Sequence, residues 1–283
     1  MLFRSDKTIP AGFRERHHRL IWAALWPARK WFSSFPIHRG KGLLHRWVIQ
    51  PALPPKPCSF EYRLPHGETV QLMYREELGE LVLFTGGYED REAAALSAHV
   101  PLGGTVFDVG ANIGLSALEF ARAAGPAGKV FAFEPHPTTA ARLRSNLAHN
   151  GVGNVTIIEA AVGAEPGQIT FHESAHPTLS SASVIPRDLV RSFDVPVTTD
   201  DIAWAQAGRP KVAALKIDVE GGELEVLLGA RELLARDRPA VLLEAWGEDQ
   251  LRPIRKLLIA AGYIQHQPDG FEPRNYLYLA GSA

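Results

Sequence analysis

A single cysteine, Cys58, stands among the 283 residues, so no intrachain disulfide can form and a reducing, cytoplasmic setting is the expectation. No apolar run comes near the ~20 residues that a membrane-crossing helix needs. The best of them, Leu20 to Trp26, is short and is followed at once by Pro27, Arg29 and Lys30. It is also too brief for a secretory leader and lacks the small-residue cleavage pattern. There is no Cys/His cluster with zinc spacing, no Gly-Xaa-Ser-Xaa-Gly elbow and no Walker loop. These absences remove structural zinc, the hydrolase elbow and NTPase chemistry. A net charge of −1 gives no overall pull toward nucleic acid.

The charge is unevenly spread. Residues 1–50 hold ten Lys/Arg against Asp6 and Glu15, a net +8, which leaves −9 for the remainder. They also carry Trp22, Trp26, Trp31, Phe32, Phe35 and Trp47. Bases on one helix face and aromatics on the other would suit an anionic membrane surface, so a peripheral contact at the inner membrane is one expectation. Aromatics packed on the main domain, with the bases in water, are the other. Pro51, Pro54, Pro55 and Pro57 then form a stiff linker. The expected organisation is an extension over residues 1–57 and a catalytic domain over 58–283, itself a hairpin and helix (58–100) before an α/β core (101–283).

Phe60, Tyr62 and Leu64, a Pro65-His66-Gly67-Glu68 turn, then Val70 and Leu72 predict a β-hairpin. Leu81–Phe84 reads as a short strand and Tyr88–His99 as a helix. From Thr105 the alternation is regular, with strands expected at 105–109, 129–133, 154–158, 212–218 and 239–244. Helices are expected at 113–124, 137–149, 222–236 and 248–261. Strands separated by helices imply parallel βαβ units and a mostly parallel, doubly wound sheet. Gln168–His172 reads as a strand outside that rhythm, and Tyr276–Leu279 as an antiparallel closing strand.

The most informative stretch is Gly104-Thr-Val-Phe-Asp108-Val-Gly110-Ala111-Asn112-Ile-Gly114. An apolar strand ends in an acid, and two glycines mark a tight corner into a helix where a ligand can approach the backbone. A pyrophosphate would be repelled by Asp108, whereas the ammonium and sulfonium of S-adenosylmethionine would be attracted. In Lys129-Val-Phe-Ala-Phe-Glu134-Pro135, an acid ends the second strand, where a carboxylate can accept from both hydroxyls of a ribose. Its alternative is a helix N-cap or first-turn acid for the helix after Pro135. Ala160, beyond the third strand, is placed either to border an adenine or to pack a buried turn.

In Ala214-Leu-Lys216-Ile-Asp218-Val-Glu220-Gly221, side-chain alternation puts Lys216 and Asp218 in one phase, with Glu220 joining them if the strand stays extended. An apolar parallel strand has little reason to carry these groups unless they reach a site or each other. Glu244 ends the next strand, so Asp218 and Glu244 share a rim. They could share a divalent metal or orient an acceptor hydroxyl, or Glu244 could pair with Arg252 or Arg255. His136, His172 and His176 are candidate bases with an ordinary surface or structural role as the alternative.

Taken in order, Gly87-Tyr88-Glu89, Asp108-Val-Gly-Ala-Asn-Ile-Gly114, Phe133-Glu-Pro135 and Leu215-Lys-Ile-Asp-Val-Glu-Gly221 resemble the FkbM-type S-adenosylmethionine-dependent methyltransferases. The likeness runs over about residues 80 to 265. It implies a Rossmann-like class I methyltransferase fold with an added N-terminal extension, and O-methylation of a sugar, glycolipid or natural-product hydroxyl. It further implies a donor site of Glu89, Asp108, Gly110, Ala111, Asn112, Gly114, Glu134, Pro135 and Ala160. The catalytic candidates are Asp218, as base or hydroxyl orienter, with Glu220, Glu244 and Lys216. A nicotinamide-dependent oxidoreductase and a non-catalytic binding module are the alternatives. Against the first stand Asp108 and the Gly110-Xaa3-Gly114 spacing.

Overall fold

Strands and helices alternate from Thr105 onward, following the spacing of apolar residues. The computed structural model describes residues 58–74, 76–85, 87–174 and 189–281. The chain divides into two units, Met1–Tyr88 and Glu89–Ala283. The expected extension and linker over residues 1–57, and His176, lie outside the described residues.

In the first unit, β1 (Cys58–Arg63) and β2 (Thr69–Tyr74) form the expected antiparallel hairpin, pairing Phe60 with Leu72 and Tyr62 with Val70. Gly67, at φ 110°, makes the turn. The strand expected at Leu81–Phe84 is instead part of helix α1 (Glu77–Thr85). Four consecutive apolar residues do not distinguish strand from helix. The helical choice fits Leu78, Leu81 and Val82 at helical spacing, with Val82 buried and Leu81 exposed.

The second unit opens with α2 (Asp90–Ser97), then β3 (Thr105–Val109), α3 (Leu115–Ala124), β4 (Lys129–Phe133), α4 (Pro137–His149) and β5 (Val155–Ile158). Next come β6 (Ala161–Val162), β7 (Gly167–Ser174), β8 (Leu189–Thr198) and α5 (Asp200–Gln206). They are followed by β9 (Val212–Ile217), α6 (Glu223–Gly229), α7 (Arg231–Asp237) and β10 (Ala240–Glu244). The unit ends with α8 (Glu248–Ala260), β11 (Tyr263–His266) and β12 (Asn275–Ala280).

Seven strands form one sheet in the order β11-β12-β10-β9-β3-β4-β5. All pairs are parallel except those of β12, which runs antiparallel to both β10 and β11. This is the Rossmann-like arrangement of class I methyltransferases, with its antiparallel closing strand. The sheet grows from β3 outward on one side through β4 and β5, then resumes on the other side at β9. The carboxyl ends of β3 and β9 therefore flank a topological switch point, where open α/β sheets bind ligands.

Side-chain alternation sorts the core into two layers. Phe107, Val109, Leu215, Ile217, Val241 and Leu243 pack with Trp204, Val226, Leu233, Leu251, Ile254 and Leu258. Val106, Ala214 and Leu242 pack on the other side with Leu96, Phe120 and Ala121. Asp108 and Lys216 belong to this second phase, and they are partners in the β3–β9 register.

The break in alternation between Ala161 and Thr199 is a second, three-stranded sheet in the order β6-β8-β7. The expected helix over 222–236 is two helices broken at Ala230. Gly229, the last residue of α6, lies where no side chain fits: a Cβ there would be 2.1 Å from the Gly163 carbonyl oxygen. Asp201 then caps the second helix, accepting from the Glu232 and Leu233 amides at 2.9 and 2.8 Å.

Gly110 anchors the corner. Its φ is 81°, and a Cβ would meet the Asp218 carbonyl oxygen at 1.8 Å. Gly110→Ala should therefore cost at least ~2 kcal/mol, combining left-handed strain with a backbone clash. Urea midpoints of the two proteins check this, and coincident midpoints would contradict the close approach.

Candidate active site

The β3–α3 corner is held from below. The Gly110 and Ala111 amides both donate to the Phe133 carbonyl at 3.0 Å, tying the corner to the end of β4. Gly114, at φ 99°, sits over Leu143, whose Cδ1 would lie 2.5 Å from an added Cβ. Buried Asn146 donates to the Ile113 carbonyl at 2.9 Å. Asn112, at φ 49°, is exposed, while Ala111 is buried.

Glu134 is buried, and its two oxygens are aligned by main-chain donors. The Asn112 amide reaches Oε2 at 3.0 Å and the His136 amide reaches Oε1 at 2.9 Å. The helix-capping alternative is therefore present in part, since His136 precedes α4. A carboxylate has about four lone-pair sites, so these bonds leave each oxygen able to accept one hydroxyl more. Burial pushes the Glu134 carboxyl up to about 7, against the two main-chain bonds; Asp108 and Asp218 push the same way as burial. Pro135 is half-buried beside it. Ala160 is buried, and its amide donates to the Ile158 carbonyl at 2.9 Å, the packed-turn arrangement.

Asp108 has no exposure at all. Ser116 Oγ donates to its Oδ2 at 2.8 Å, while Oδ1 is buried without a hydrogen-bond partner. Lys216 Nζ stands 4.0 Å from that oxygen and donates to Asp218 Oδ2 at 3.0 Å. Lys216 and Asp218 therefore reach each other as an ion pair, at the end of one of the two strands that flank the switch point. Burial opposes the Lys216 charge, but Asp218, Asp108 and Glu89 outweigh it and hold the ammonium above its ordinary value. Burial likewise lifts the Asp108 carboxyl, with Lys216 and the Ser116 bond resisting.

Glu89 precedes α2 in a left-handed conformation (φ 51°) and accepts from Asn275 Nδ2 at 3.1 Å. Burial pushes its carboxyl up to about 7, opposed by Lys216. Glu244, at the end of β10, is also lifted to about 7 by burial and then by Asp218, with Trp246 and Arg274 lowering it. Arg252 and Arg255 pair instead with Asp249 and Glu248, at 3.8 and 2.8 Å. Arg274 stacks over the Trp246 ring, its guanidinium carbon 3.6 Å from the ring centroid.

Glu220 does not share the phase of Lys216 and Asp218. The strand stops at Ile217, and Glu220 takes φ 53° and is exposed. Buried Glu223, the first residue of α6, accepts from the Gly221 amide at 2.8 Å. Among the histidines, His136 is buried edge-on against Phe193 and lies 3.7 Å from Glu173. Burial holds its ring below the ordinary value. His172 Nδ1 meets Ser192 Oγ at 2.9 Å on the three-stranded sheet.

The strand ends therefore bring Asp218, Asp108 and Glu89 to the buried Lys216 ammonium, while Glu134 and Glu244 are coupled to the group through Asp218. No three His, Cys, Asp or Glu side chains among the described residues are disposed to hold a metal ion. A hollow of ≈ 330 Å³ over β5, lined by Arg144, Leu147, Ala148, Val152, Val155 and Ile157, contains none of these groups. The site is defined by its chemistry rather than by a deep cavity. Ser116, Asn275 and Arg274 escaped the sequence reading. Ser116 lies two residues past the glycine corner in plain view, but Asn275 meets Glu89 only through the fold of the closing strand.

Residues 108–264 match the Methyltransferase FkbM domain. The 31-O-demethyl-FK506 methyltransferase FkbM of Streptomyces tacrolimicus is 32% identical over 208 residues, covering 60% of this chain and 75% of that protein. The 2-O-methyltransferase NoeI of Sinorhizobium fredii is 28% identical over 189 residues, covering 59% of this chain and 76% of its own. The hexuronic acid methyltransferase AglP of Haloferax volcanii is 33% identical over 129 residues, 46% of this chain and 51% of that one.

Two outcomes follow from the electrostatics. Lys216→Met strands Asp108 as a buried, uncompensated charge and should cost ~3–5 kcal/mol, with Asp108→Asn in the same chain recovering part of it. Denaturant unfolding of the single and double variants checks this; full additivity would mean that the two groups are not coupled. Glu89, Glu134 and Glu244 all titrate near 7 when folded, against a starting value of 4.5. Between those values the folded state holds protons that the unfolded chain has lost, so stability falls as pH rises through the window. His136 acts in the opposite sense, while Asp108, Asp200 and Glu223, also lifted by burial, act in the same sense as the three glutamates. Calorimetric unfolding temperatures of the ligand-free protein should decline from about pH 5 to about pH 7.5, the window those shifts define; a rise would contradict the assignment.

Proposed function

The chain belongs to the FkbM family of methyltransferases, and on that premise we propose that it is an S-adenosylmethionine-dependent O-methyltransferase acting on a hydroxyl of a small-molecule or glycan acceptor. The nicotinamide alternative falls with the family, and so does the non-catalytic module. One observation carries the donor: a fully buried Asp108 with a hydrogen-bond-free Oδ1, in a crevice holding five carboxylates and one buried lysine. Such an excess of acid favours a ligand with net positive charge, and a sulfonium plus an ammonium against one carboxylate supplies it.

Bound there, the donor supplies an electrophilic methyl group on a cationic sulfur. Glu134, its oxygens aligned by the Asn112 and His136 amides, holds the two ribose hydroxyls. Asp108 and Glu89 face the amino-acid end across the Gly110–Gly114 corner. Pro135 and the main chain of the turn that Ala160 packs border the adenosine.

Asp218 and Glu244 act on the acceptor. With Asp218 Oδ2 taken by Lys216, Oδ1 is the oxygen that aligns an acceptor hydroxyl. With Asp218 held in that ion pair, Glu244, lifted to about 7, is the group matched to remove the proton near neutral pH. Alignment of the hydroxyl with the methyl group is the larger contribution, worth up to ~7–11 kcal/mol in favourable cases. The relatives named above as methylating a 2-O position or a hexuronic acid support a sugar among the acceptors. The basic aromatic residues 1–50 retain, on charge alone, a proposed peripheral contact with an anionic membrane surface.

Asp218→Asn should lower kcat far more than it weakens S-adenosylhomocysteine binding, whereas Glu134→Ala should do the reverse. Calorimetric titration alongside steady-state kinetics separates them, and equal losses in both quantities for Asp218→Asn would move it into the donor site. Because the cationic donor favours ionised carboxylates, its affinity should rise with pH through about 7 and binding should release protons. Titrations in two buffers of different ionisation enthalpy count them; proton uptake would contradict the carboxylate account.

A further inference from the structure

Beside Glu244 the rim carries an exposed indole that the donor does not need. Trp246 is 51% exposed, one of the few large apolar side chains left in water among the described residues. Its position is fixed at two points. Its amide donates to Gln250 Oε1 at 2.6 Å, and the Arg274 guanidinium stacks on its ring at 3.6 Å. A cation over one face sets the ring's orientation, and half of the residue remains accessible to a ligand. Glu244 lies two residues earlier on the strand, and its carboxyl is influenced by the Trp246 side chain, by Arg274 and by Asp218. A rigid apolar plate and two hydrogen-bond acceptors therefore share one rim.

That combination selects a ligand class. A flat aromatic or long apolar acceptor is best held in a concave, mostly apolar pocket. Here a single aromatic plate stands in the open with charged neighbours. A pyranose ring presents one face of C–H bonds and a periphery of hydroxyls. The C–H face covers the exposed part of the indole, while the hydroxyls donate to the carboxylates. We propose that Trp246, braced by Arg274, is the acceptor platform, and that the acceptor is a pyranoside ring laid on it with one hydroxyl directed at Asp218 and Glu244. The proposal rests on the hydroxyl-acceptor reading above and adds to it the acceptor's class and a specificity-determining residue.

Saturation-transfer NMR on the full chain, saturated with S-adenosylhomocysteine, tests this with three probes: methyl glucopyranoside, methyl galactopyranoside and methyl glucuronoside. At least one should respond, with transfer concentrated on the C–H protons of one ring face. The response should weaken at least about fivefold in Trp246→Ala, as for loss of one contact aromatic, and persist in Trp246→Phe. Calorimetry on the same samples measures S-adenosylhomocysteine uptake. A wild-type chain that takes up none overturns the donor reading and the platform with it. Normal uptake with no response from any probe, or with equal responses from wild type and Trp246→Ala, overturns the platform alone.

Discussion

Lys216 donates to Asp218 and stands within ion-pair reach of Asp108, and this buried contact sets the character of everything around it. Burying an ammonium is costly unless carboxylates compensate it. Here they do more than compensate: Glu89, Glu134 and Glu244 add to Asp108 and Asp218 at the same switch point. Burial lifts several of these carboxyls above their ordinary range, so ionising them there is costly without further positive charge. A crevice in that condition binds a cation more readily than it binds nothing. This imbalance is what supports the cationic donor proposed above.

The fold explains why these residues meet. β3 and β9 are neighbours although about a hundred residues apart in sequence, and their register sets Asp108 opposite Lys216. The close approach at Gly110 lets the two strand ends abut, with the Asp218 carbonyl where a side chain would otherwise be. Backbone geometry and charge are thus one design: the glycine needed for the turn also brings the second carboxylate beside the first. On the far side, β12 closes the sheet antiparallel to β10 and carries Asn275 to Glu89 and, next to it, Arg274 to Trp246.

What the sequence made legible was what is local or periodic. The strand–acid–glycine corner, the acid ending β4 and the Lys216/Asp218 phase are all readable over a few residues, and all are present. The failures have physical causes. Leu81–Phe84 is apolar at every position, so its periodicity was mute until helix α1 chose one face. Glu220 followed the strand's phase on paper, but a left-handed residue ended that phase two residues past Asp218. The split of one expected helix into α6 and α7 at Ala230 lies beside a close approach of Gly229 to Gly163 that is set by the fold. The partners of Glu89 and Trp246 come from the closing strand and the residue before it, and no window of sequence contains them.

The central claim is that the carboxylate-lined corner at β3 is a seat for a sulfonium donor. A crystal structure with S-adenosylhomocysteine measures this most directly. The account predicts the ribose hydroxyls on Glu134, the amino-acid end over the Gly110–Gly114 corner toward Asp108, and the sulfur facing Asp218. A product molecule bound elsewhere, or a corner that admits a pyridine dinucleotide in its place, would contradict it.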